Sequence, residues 1–114
     1  MTITISTVST EFVNVEVVYR VAGVPTNPTA AFTPYLAFVA VTNAKKRPAP
    51  PSSFANAAWK AATWDTANSR YYVKALVGSK NGGTSLAAGT YSVWVGLDGT
   101  SEEPVLYVDD LVVT

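Results

Sequence analysis

The stretch Phe12-Val-Asn-Val-Glu-Val-Val-Tyr-Arg-Val21 alternates, with Val13, Val15, Val17, Tyr19 and Val21 pointing one way and Asn14, Glu16 and Arg20 the other. Period two over this length predicts a half-buried β-strand. The same period returns in Arg70 to Gly78, where Tyr71, Val73, Ala75 and Val77 oppose Tyr72, Lys74 and Leu76. From Thr90 to Asp98 it sets Tyr91, Val93, Val95 and Leu97 against Ser92, Trp94, Gly96 and Asp98. Tyr35 to Thr42 is almost continuously apolar, so this strand should be covered on both faces.

Weaker segments fill the intervals. Ile3 to Val8 alternates, and Val105 to Val113 does so until Asp109-Asp110, where a bulge or tight bend would change which face is buried. Ala57 to Trp64 has helix-forming alanines, but Trp59 and Trp64 beside Thr63 and Asp65 fit short β segments better. Reversals are expected at Asn81-Gly82-Gly83 and at Asp98-Gly99, and a loop where Gly23, Pro25, Asn27 and Pro28 follow the first valine strand. The proline-rich run Ala44-Lys-Lys-Arg-Pro-Ala-Pro-Pro-Ser-Ser-Phe54 suits an exposed, partly extended loop. These segments make about seven strands at a spacing that predicts an all-β fold, a two-sheet antiparallel β-sandwich in one domain over residues 1–114.

Composition narrows the chemistry. Among 114 residues there is no His and no Cys, which removes the usual ligands of zinc, iron and copper, the imidazole base and the thiol nucleophile. Eight basic and eight acidic residues balance, so the net field attracts neither nucleic acid nor an anionic membrane. Charged residues make up 14% where soluble domains carry about 25%, which favours a structural or binding role over catalysis. The opening Met1-Thr-Ile-Thr-Ile-Ser-Thr has neither the basic start nor the apolar centre of a secretory signal, and no apolar run is long enough for a membrane-spanning helix.

Candidate sites are few. Lys45, Lys46 and Arg47 are expected to form a solvated loop face, with docking on an acidic neighbour as the alternative. Trp59, Trp64 and Trp94 default to core packing, but Trp94 lies opposite the apolar row of its strand, where an outward ring would mark a contact surface. Lys45, Lys46, Arg47, Trp59 and Trp94 are therefore the candidate partner-binding residues. Glu102-Glu103 and Asp109-Asp110 are sequence neighbours that would face opposite sides of a strand, so they read as solvated loop or bulge features and not as catalytic dyads. No calcium-loop, phosphate-loop or nucleophile motif is present, and no catalytic residue, metal or cofactor is expected. Thr2 to Thr10 is open to two readings, a first strand of the sandwich or an arm pairing with another subunit's sheet edge.

Two resemblances sharpen this. Leu86-Ala-Ala-Gly-Thr-Tyr91 resembles the corner of immunoglobulin-like sandwiches, in which a Tyr opening a late strand bonds back to the preceding loop. Glu11-Phe-Val-Asn-Val-Glu-Val17, Trp59-Lys-Ala-Ala-Thr-Trp-Asp65, Tyr72, Leu76-Val-Gly78, Gly89-Thr-Tyr-Ser-Val-Trp-Val95 and Glu103-Pro-Val105 together resemble small immunoglobulin-like virion proteins of tailed phages infecting actinobacteria. The Lys45 to Pro51 loop and Ser101-Glu-Glu depart from that pattern. The resemblance implies a non-enzymatic capsid (head) decoration protein on the outside of the shell, assembled into the virion in the host cytoplasm. It further implies contacts with the major capsid protein or other virion proteins, as a homo-oligomer or lattice-bound, with no nucleic acid and no membrane. A head-to-tail connector or tail component, or a carbohydrate-binding or adhesive module, would use the same fold.

Overall fold

The structure, a computed structural model, describes residues 2–6, 8–43, 45–78, 80, 83–100 and 102–114. Met1, Thr7, Ala44, Ser79, Ser101 and the expected reversal at Asn81-Gly82 lie outside the described residues. In chain order the strands are β1 (Thr2–Ile5), β2 (Glu11–Val17), β3 (Tyr19–Val21), β4 (Val24–Thr26), β5 (Thr33–Ala40), β6 (Trp59–Ala61), β7 (Thr63–Ala67), β8 (Arg70–Val77), β9 (Gly89–Asp98) and β10 (Val105–Val113). Five form one sheet in the order β1-β10-β9-β5-β6, three a second in the order β2-β8-β7, and β3 with β4 make a separate hairpin. Pairing between these strands is antiparallel except between β1 and β10, and Val77 of β8 makes an isolated parallel bridge to Thr84.

The valine alternation does what its period requires. Val13 and Val15 of β2 and Val73, Ala75 and Val77 of β8 join Leu36, Val93, Val95, Leu97, Leu111, Val113 and Ile5 from the larger sheet in one core. Each Val or Leu side chain fully buried here stabilises the fold by about 1.5–3 kcal/mol. β5 is covered on both faces as its apolar run requires, since Leu36 in the core and Ala37 on the opposite face are both 0% exposed. Trp59 and Trp64 stand on short strands. β1 pairs with β10 of its own chain, Thr2 opposite Asp110 through Ile5 opposite Val113, which is the first-strand reading of the opening segment. The interruption in β10 is a shift of register between Tyr107 and Asp109, the bulge that the acidic pair suggested.

The long first strand does not run through to Val21. It ends at Val17, and Tyr19–Val21 turns back on Val24–Thr26. Ala22 and Gly23, with φ of 50° and 81°, form the two-residue turn whose positive φ values match strand twist. Pro25 pairs with Arg20, so the loop expected here is a hairpin. A two-stranded ribbon has free edges, and there proline's missing N–H costs no ladder bond. Tyr19 leaves the ribbon to meet Phe32 edge-on at 5.1 Å. Val18, Val21 and Val24 stay exposed, at 64%, 49% and 62%.

Tyr91 is the third residue of β9, and its Oη donates to the Ala87 carbonyl at 2.7 Å, tying the preceding loop to the sheet. Tyr91→Phe removes that bond and nothing else, and should lower stability by about 0.5–1.5 kcal/mol. Urea unfolding measures it, and an unchanged midpoint would mean the corner contributes nothing.

Candidate interaction face

The outer face of the five-stranded sheet carries a row that runs across four strands. Trp59 pairs with Ala37, Ala37 with Trp94, and Trp94 with Tyr107. Residues 45–58 fold back over this row. Short polar side chains shape the segment: Asn43 Oδ1 accepts from Lys45 N, Ser53 Oγ from Ala55 N and Asn56 Oδ1 from Ala58 N, at 2.9–3.2 Å. Each bond closes a local turn in place of a strand ladder.

Phe54 anchors the fold-back. Its ring stacks on Tyr35 with centroids 5.0 Å apart and meets Trp59 edge-on at 5.1 Å. Gly96 leaves room for it, since a Cβ there would overlap the Phe54 ring. Trp59 Nε1 donates to the Pro51 carbonyl at 3.2 Å, and the Arg47 guanidinium lies 3.5 Å above the centre of the Tyr107 ring. The Tyr107 and Trp94 rings meet edge-on at 5.6 Å. An aromatic pair in this geometry adds about 0.5–1.5 kcal/mol beyond the area it buries.

The candidate residues thus have distinct fates. Lys45, Lys46 and Arg47 are all exposed, Arg47 with its guanidinium over the Tyr107 ring. Trp59 is only 5% exposed, so its ring is committed to Phe54 and is no open platform. Trp94 lies on the outer face, as its opposition to the apolar row suggested, but is half-covered. Trp64 packs against the core and donates Nε1 to the Phe32 carbonyl at 3.0 Å.

Three participants were not among the partner-binding candidates of the sequence: Tyr107, Ser92 and Asp110, the last read there only as part of a bulge. Tyr107 Oη donates to Asp110 Oδ1 at 2.7 Å. Burial, then that bond and the carboxylate's charge, raise the phenol's pKa above the ordinary 10.0, against the opposing pull of Arg47. Ser92 is 1% exposed, and its Oγ and the Trp94 Nε1 are buried without a hydrogen-bond partner. Leaving such a group unpaired typically costs about 1–3 kcal/mol. The small residues Ala37, Ser92 and Gly96 in outward registers were the available signal that something lies over this face.

The other sheet presents a solvated mixture. Arg70 approaches Glu16 at 3.8 Å and Lys74 approaches Asp65 at 4.0 Å, exposed pairs of the kind that add little stability. Among the described residues no group of three or more acidic side chains is placed to hold a metal ion.

Comparisons of this chain with protein-family models, with curated proteins and with solved structures find no match. The class defined by the coordinates is a two-sheet β-sandwich with a loop layered over its larger sheet.

Proposed function

We propose that this chain is a non-enzymatic virion structural protein of a tailed phage, a decoration protein that binds the outside of the capsid through contacts with the major capsid protein. The sequence resemblance suggests the setting. Support for an immunoglobulin-like form of the sandwich comes from the strand orders β1-β10-β9-β5-β6 and β2-β8-β7 and from the Tyr91 corner. The observation that carries the assembly role is the hairpin of β3 and β4, which belongs to neither sheet and leaves Val18, Val21 and Val24 exposed. A cavity of about 390 Å³ opens beside it, lined in part by Val17, Val18, Tyr19 and Pro25. Exposed valines, two of them paired across the ribbon, in a charge-poor chain are suited to burial against protein, where interface centres are depleted of charge.

Quantitative mass spectrometry of purified virions tests the proposal. High copy number, lost on treatment that strips the shell exterior, is the expected result; protein confined to infected-cell lysate contradicts it. The double variant Val21→Lys, Val24→Glu, an opposite-charge pair across the ribbon, should keep its unfolding free energy within about 1 kcal/mol, because exposed positions tolerate change. It should nevertheless lose at least ten-fold of its attachment to particles that lack the protein. Undiminished attachment would remove the hairpin from the interface.

A further inference from the structure

Where the fold-back loop leaves the outer face of the larger sheet, a polar cavity of about 220 Å³ remains, with Lys45, Lys46, Arg47, Ser92, Tyr107 and Asp110 among its lining. Ser92 stands on β9 between Val39 of β5 and Asp110 of β10, and its Oγ is the buried hydroxyl without a partner. A buried hydroxyl without a protein partner is costly and can both donate to and accept from a polar group that reaches it. The lining holds three cations and one carboxylate, and Asp110 Oδ1 already accepts from Tyr107 Oη. The Arg47 guanidinium rests on the Tyr107 ring at the rim of the cavity, a contact worth about 0.5–1 kcal/mol that favours this placement of its charge.

We propose that this cavity binds a carboxylate, supplied by an acidic segment of a partner protein. The surplus of positive charge selects an anion. Lys45 and Lys46, both exposed at the loop, extend the charge beyond the reach of one carboxylate, which fits a segment with successive acids. The assignment rests on the structural-protein reading by naming the partner's chemistry, while the cavity can be tested on the isolated chain.

The probe is a dye-labelled hexaglutamate peptide titrated with the protein at low salt and followed by fluorescence anisotropy. Saturable binding is expected. Ser92→Ala, which keeps the volume of a buried side chain, should weaken it about ten-fold, as the loss of a hydrogen bond to a charged group does. Lys45→Gln with Lys46→Gln, both exposed, should weaken it further, and near-UV circular dichroism should match the parent for each variant. Binding unchanged by Ser92→Ala would reduce the effect to diffuse charge and overturn the site. Displacement of the peptide by inorganic phosphate at lower concentration than acetate would overturn the carboxylate assignment. Full displacement by millimolar acetate would assign the cavity to free carboxylates instead of a partner. Absence of the protein from virions alongside intact, Ser92-dependent peptide binding would refute the virion setting and leave the cavity standing.

Discussion

Replacing Gly78 with alanine is expected to destabilise the fold by roughly 2–6 kcal/mol, enough to leave much of a marginal domain unfolded. Two independent effects add at this position. Its φ of 140° lies where side-chain-bearing residues are strained. A Cβ would also stand 2.5 Å from Thr10 Cα and 2.7 Å from the Ser9 carbonyl oxygen, backbone atoms that no rotamer change can move. Gly78 follows β8 and lies against the residues that lead into β2, so the overlap would push apart the two strands that bring Val13, Val15, Val73, Ala75 and Val77 to the core. Gly23→Ala separates the effects. Gly23 has a φ of 81° but open space around it, so alanine there should incur only the conformational penalty, about 1 kcal/mol. Urea unfolding of both variants is the measurement. Equal losses at the two positions would show that the contact with Ser9 and Thr10 is not what makes position 78 intolerant.

What could be read in advance follows a physical line. Alternation reports burial on one face, so β2, β8 and β9 were legible, as were their inward valines. The Tyr91 corner and the β10 bulge were legible because each depends on neighbours in sequence. The end of β2 was not, because Val17, Tyr19 and Val21 continue the period across the break. Alternation is the same whether a strand stays in its sheet or leaves it for a hairpin; only the Ala22-Gly23 turn, masked by a following proline, marks the change. The fold-back of residues 45–58 was hidden for a related reason. Prolines and lysines describe how that segment meets water, while its attachment is made by Phe54, Arg47 and the Pro51 carbonyl with Tyr35, Trp59 and Tyr107 on three different strands. The expected exposed loop is therefore correct for Lys45, Lys46, Arg47, Ala49, Ser52 and Ser53 and incomplete for Pro51 and Phe54, which are partly covered.

Gly96→Ala should dislodge that loop and lower stability by about 2–4 kcal/mol, near the loss expected for truncating the half-buried Phe54 itself. The new methyl group would overlap Phe54 and come within 2.9 Å of Trp59 Cη2. Phe54 belongs to a loop and can leave, whereas Gly96 is pinned between Tyr35 of β5 and Val105 of β10. The ring should therefore be expelled, with its stack on Tyr35 and its edge contact with Trp59 lost. Trp59, now 5% exposed, would meet water, and its emission should shift to longer wavelength while the strand signal in far-UV circular dichroism holds. A double-mutant cycle decides whether this is the route. If Gly96→Ala acts by evicting Phe54, then in a Phe54→Ala background it should cost less than about 1 kcal/mol, because Trp59 can settle a few tenths of an ångström into the space left behind. Additive losses would place the damage in the sheet instead, and would mean that the loop rests on the outer face without depending on the glycine beneath it.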